Sequence, residues 1–118
     1  MRLTFSSRND RTTTRIRDLV IIYSVEITID PGIEVEWLQW MQQVHVPDVL
    51  RTGCFLGCQI YKVLEAEGGE AVYLLQYRCE SLETYQRYRE QFAPAMQKEH
   101  SERYAGRFRG ARRLLEEV

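Results

Sequence analysis

The stretch CFLGCQIYKVLEAEGGEAVYLLQYRCE, residues 54–80, decides the fold. Two apolar runs, Cys54–Glu65 and Ala71–Glu80, flank Glu67-Gly68-Gly69-Glu70. Paired glycines between such runs signal a β-hairpin. A two- or four-residue loop then sets a register in which Cys58 opposes Cys79, Ile60 opposes Tyr77, Tyr61 opposes Gln76 and Leu64 opposes Tyr73. Opposed residues share a face. One face therefore carries Leu56, Cys58, Ile60, Leu64, Tyr73, Leu75, Tyr77 and Cys79, and it should lie under helices. The other carries Phe55, Gln59, Tyr61, Val63, Val72, Leu74, Gln76 and Arg78. That face is too apolar to suit open water.

Upstream, Val20–Asp30 alternates with period two. Tyr23, Val25, Ile27 and Ile29 face one way, and Ser24, Glu26, Thr28 and Asp30 the other, which predicts a half-buried strand. Pro31-Gly32 ends it in a turn. Glu34–His45 switches to helical period. Trp37, Trp40, Met41 and Val44 form one apolar stripe, and Glu34 and Glu36 suit the first turn. Pro47 disfavours helix at Val46, so this helix should stop near His45. Asp48–Thr52 would add a short turn closed by Gly53.

Downstream, Ser81 can cap a helix over Ser81–Tyr104. Its buried stripe is Leu82, Tyr85, Phe92 and Met96, with Tyr88 beside it. Pro94 predicts a kink or two segments. Gly106 ends the helix, and Arg107–Val118 closes the domain as a last strand. The order βαββαβ is that of the α+β ferredoxin-like plait, a four-stranded antiparallel sheet with two helices on one face. The bare sheet face would hold Phe55, Tyr61, Val63, Val72, Leu74 and Gln76. A contiguous patch of that kind marks a partner surface, and two sheets packed on it would form a homodimer of the dimeric α/β barrel type.

Residues 1–19 differ from the body at 20–118. The segment Met1–Asp18 is rich in Arg, Ser and Thr and lacks periodicity, which predicts a disordered or loosely attached extension. Five arginines against two aspartates give residues 1–20 a charge of +3, and residues 21–118 carry −4. A mildly acidic body argues against nucleic acid as a partner. No apolar run approaches the ~18 residues of a membrane span, and no apolar secretory h-region is visible. Three cysteines make an odd count, which suits reduced thiols and a cytoplasmic protein.

His45 is the best catalytic candidate. At a helix end beside aromatics it would serve as general base or ligand hydrogen-bonder, with the helix C-terminus favouring its cation. The structural reading is a capping histidine bonded to a free carbonyl. Tyr23, Trp37, Trp40 and Tyr77 would line an apolar pocket with it, between helices and sheet; the competing reading is core packing. Gln76 and Tyr61 would bind a ligand or bridge subunits by hydrogen bonds. His100 reads as a solvated helix-surface residue. Cys54 and Cys58 stand about 13 Å apart on one strand, too far for a disulfide or a shared zinc. Cys58 and Cys79 would meet across the hairpin as two small hydrophobes. No metal site is expected, and nothing calls for a cofactor. Phosphate loops, dinucleotide fingerprints, the Gly-x-Ser-x-Gly elbow and the His-Glu-x-x-His pair are missing.

The landmarks taken together resemble a known family. Ile22-Tyr23-Ser24-Val25, Trp37-x-x-Trp40-Met41, His45-x-Pro47, Thr52-Gly53-x-Phe55, Gln76-Tyr77 and Ser81-x-x-x-Tyr85-x-x-Tyr88 are similar to a family of small bacterial proteins described only as a domain of unknown function. The resemblance covers residue 21 to about residue 116. It implies a ferredoxin-like plait, dimeric, similar to the wider dimeric α/β barrel superfamily. That superfamily includes small monooxygenases, haem-degrading enzymes, dehalogenating or isomerising enzymes and ligand binders. The functional expectations are three. The first is an uncharacterised homodimer holding a small apolar ligand. The second is a cofactor-free monooxygenase or isomerase that uses His45. The third is a partner-binding module using the open sheet face.

Overall fold

The computed structural model describes residues 20–118. The expected extension at residues 1–19 lies outside them. Four strands, β1 (Ile21–Ile29), β2 (Gly57–Lys62), β3 (Ala71–Cys79) and β4 (Phe108–Glu116), form one sheet in the order β2-β3-β1-β4. All neighbours are antiparallel. This is the plait expected from the period-two runs. Tyr23, Ile27 and Ile29 of β1 and Tyr73, Leu75, Tyr77 and Cys79 of β3 are buried on the helix side.

The β2–β3 register is shifted from the expected one. Cys58 opposes Tyr77, Ile60 opposes Leu75 and Tyr61 opposes Leu74. Cys79 pairs instead with Ile21 of β1, so Cys58 and Cys79 do not meet across the hairpin. The connecting loop is wider than a tight hairpin turn. Glu65, Gly68 and Gly69 all take positive φ, near 59°, 65° and 68°. The shift is two residues, so each side chain keeps its face. Leu56 and Leu64, expected under the helices, fall outside β2 and are exposed. Phe55, expected on the open face, is buried on the helix side between Tyr23, Tyr77 and Tyr88. It also precedes β2, where strand alternation does not apply.

The first helical arm runs from α1 (Glu34–Trp40) through a π turn (Met41–His45) into α2 (Val46–Arg51). It does not stop at His45. Pro47 has no N–H, and its ring would collide with the carbonyl four residues back in an α-helix. The wider turn removes that collision, and the Val46 N–H bonds to Met41 O, five residues back. The extra residue rotates the buried stripe. Val44, expected inside, is half exposed, and His45 turns inward with Val46 and Val49.

The second arm is two helices, α3 (Leu82–Gln91) and α4 (Ala93–Arg103). Ser81 caps α3, its Oγ accepting from the Thr84 N–H at 3.0 Å. The chain breaks at Phe92, with φ −123°, and Pro94 sits in the first turn of α4, where a missing N–H costs nothing. Tyr88 is buried and Leu82 is exposed, so the stripe runs closer to Tyr88 than its spacing suggests.

Candidate functional site

The helical arms and the sheet enclose a cavity of about 40 Å³. Tyr23 and Val25 of β1, Leu75 and Tyr77 of β3, Met41 and His45 of the π turn, and Met96 and His100 of α4 line it. The volume suits a few water molecules or a short chain of carbons. A shallower groove of about 240 Å³ adjoins it and shares Tyr23, Gln97 and Arg112 with the cavity wall.

His45 and His100 come from different arms and meet with ring centroids 5.8 Å apart. Both are buried, at 8% and 6% exposure. His100 is therefore not the solvated surface residue expected. The Trp37 indole N–H donates to its Nε2 at 3.0 Å. A neutral ring that accepts at Nε2 carries its proton on Nδ1, which fixes the tautomer. The Phe108 ring meets His100 edge-on at 4.5 Å. His45 Nδ1 is buried without a partner among the described residues. It caps no carbonyl. A bare acceptor is a cheaper orphan than an N–H, so His45 holds its proton on Nε2.

Burial pushes His45 down to about 4, against the opposing pull of the Asp48 carboxylate. Burial also pushes His100 down to about 4, helped by the charges of His45 and Arg112. The helix-end preference for a cation is overridden, because the π turn carries His45 into the core. Burial likewise raises the Tyr23 phenol, with the Arg112 guanidinium opposing it. Burial holds Tyr77 well above its ordinary value. The cavity is thus uncharged apart from Arg112.

The expected ligand residues separate into two groups. Tyr23, His45 and Tyr77 line the cavity. Trp37 is completely buried behind His100 and positions that ring. Trp40 stacks on His45 at 5.3 Å, and its other neighbours are His100, Tyr104 and the Arg103 guanidinium. It is a lid over His45 and not a cavity wall. Sequence reasoning missed His100, Gln97 and Arg112. His100 had a signal, since Ala93, Met96, His100 and Tyr104 follow helical spacing. Arg112 had little, because its place depends on β4 pairing with β1, where it opposes Val25.

Tyr61, Val72, Leu74 and Gln76 take the opposite sheet face by alternation and register, and Val63, just past β2, donates its N–H to the Val72 carbonyl at 2.8 Å. There Gln76 Nε2 donates to Ser24 Oγ at 3.3 Å. Tyr61 is 49% exposed. The three cysteines are free. Among the described residues no group of three metal-ligating side chains converges, and no helix is long and apolar enough to cross a membrane.

The sequence model of the family described as a domain of unknown function (DUF4286) matches residues 20–118. The chain belongs to that family. No curated protein matches it. Solved structures share its fold at low identity. A dimeric ferredoxin-like protein from an uncultured marine organism is 17% identical, with a TM-score of 0.63 over 84% of this chain and 94% of that one. An ethyl tert-butyl ether D family protein from Bacillus halodurans is 12% identical, with a TM-score of 0.63 over 83% and 99%. A haem-degrader from Mycobacterium tuberculosis, with two haems bound in its active site, is 24% identical, with a TM-score of 0.55 over 83% and 94%. DUF4286 thus joins these proteins in the ferredoxin-like plait, and the fold alone carries no activity.

Proposed function

We propose that this DUF4286 chain is a homodimer that binds a small, largely apolar ligand between its helices and sheet. The observation that carries the reading is the pair His45 and His100, brought from two arms onto one cavity and kept neutral. Buried polar rings facing a cavity orient a ligand without demanding a counter-charge. Native mass spectrometry of the protein as purified, at several concentrations, tests this. A dimer with added small-molecule mass supports the ligand site. A clean dimer that takes up no ligand contradicts it.

The second reading is a cofactor-free monooxygenase or isomerase with His45 as the proton-transfer group. Its support is that His45 reaches the cavity. Its weakness is chemical. A general base works best with a pKa near the operating pH, and His45 lies near 4. The binding reading is preferred for that reason.

The homodimer rests on the sheet face opposite the helical arms, where Tyr61, Val63, Val72, Leu74 and Gln76 stand together and no helix among the described residues covers them. The dimeric description of a solved neighbour points the same way. Leu74→Arg should give monomers in light scattering; an unchanged dimer would remove the sheet-face interface and favour the third reading, a surface for other partners. The folded unit is proposed to be residues 20–118, in the cytoplasm. Removing residues 1–18 should leave the thermal midpoint unchanged.

A further inference from the structure

The chemical class of the ligand is written in the charges around the groove. Arg51, Arg78, Arg103, Arg107 and Arg109 each pair with a carboxylate. Arg87, Arg89, Arg112 and Arg113 pair with no carboxylate among the described residues, and of these Arg89 and Arg112 line the groove that adjoins the cavity. Among the described residues, no Asp or Glu lines either space. Gln97 and the Tyr23 hydroxyl stand with Arg112 where groove and cavity join. Deeper in, the walls turn apolar at Met41, Leu75 and Met96. The arrangement is a cationic, hydrogen-bonding mouth over a narrow apolar interior.

We propose, resting on the ligand-binding reading above, that the site takes a small monocarboxylic acid, its carboxylate at Arg112 and Arg89 and its hydrocarbon end in the cavity beside His45 and His100. A guanidinium suits a carboxylate because its planar fork can donate two parallel hydrogen bonds. The mouth is open to water, so the anion keeps part of its hydration and is not buried whole. The cavity of about 40 Å³ excludes a bulky ring and admits a few methylenes. An amine finds no acceptor charge among the lining side chains. A neutral ligand of the same shape leaves the two guanidinium groups unused.

The test uses the full chain with hexanoate and hexanamide, which differ in charge and hardly in shape. Binding is read from the imidazole Cε1–H resonances of His45 and His100. Hexanoate should move both resonances saturably, and hexanamide should bind at least tenfold more weakly. Arg112→Gln should weaken hexanoate at least tenfold, whereas Arg112→Lys should stay within a few-fold of wild type. Circular dichroism checks that both variants remain folded; the residue is exposed, so they should. Equal binding of acid and amide, or undiminished binding by Arg112→Gln, would overturn the acid and leave an apolar ligand site standing. No movement with either probe at saturation would overturn both the acid and the ligand-binding reading.

Discussion

Two helical arms meet the same obstacle, a proline inside the helical stretch, and resolve it differently. In the first arm Pro47 is absorbed by a π turn and the helix continues. In the second the chain breaks at Phe92 and restarts, with Pro94 in the new first turn. A break preserves the spacing of the residues beyond it, so Ala93, His100 and Tyr104 are buried as ordinary helical neighbours. A π turn adds a residue and changes which face points inward, and His45 replaces Val44. The restart thus yields a histidine that period alone could place. The bulge yields one that period places only at the edge of the stripe. π turns inside α-helices often mark functional positions, and this one delivers half of the histidine pair.

The largest expected effect exploits what the two arms share. Both imidazoles are neutral in the fold down to about pH 4, whereas unfolded histidines take up protons near pH 6.5. Their contribution to stability is complete above about pH 6.5 and falls as pH drops toward 4, where it levels off. Each ring should account for about 3 kcal/mol of that loss. Urea unfolding across the window should show it, and the His45→Gln/His100→Gln pair of changes should flatten the profile. A profile equally steep in the double variant would assign the loss to carboxylates.

The next effect separates the arms at their point of contact. Trp37→Phe keeps most of the buried ring and removes the N–H that fixes His100. Loss of that bond should cost about 1–2 kcal/mol and free the His100 tautomer. Equilibrium unfolding gives the first, and ring nitrogen shifts give the second. An unchanged tautomer would mean that packing alone holds His100.

The smallest effect on stability should be the sharpest for the comparison. Pro47→Ala removes the reason for the π turn, so the arm should relax to α-helix, return Val44 to the stripe and swing His45 toward solvent. Stability should change by less than about 1 kcal/mol, while His45 should titrate much closer to 6.5. Retention of a value near 4 would show that core packing, not Pro47, sets the bulge.

These features explain what could be read in advance. Strands β1 and β3 were legible because Tyr23, Ile27, Tyr73, Leu75 and Tyr77 repeat every second residue, which is a purely local signal. The plait came from element order. The loop around Gly68 and Gly69 was legible as a turn but not in its width, since Glu65 adds a third positive φ that a glutamate does not advertise. Phe55 was misplaced because alternation was carried past the end of β2. In the site, Tyr23 and Tyr77 came from local period. Arg112 needed the pairing of β4 with β1, a contact between residues far apart in the chain.

The central claim is that His45 and His100 form one buried, neutral pair over the cavity. A proton NMR titration of the two imidazole Cε1–H resonances, on the full chain from pH 7.5 to the acid limit of folding, tests it most directly. Midpoints near 4 for both rings are expected. A midpoint near 6.5 for either ring would place that histidine in water and contradict the claim.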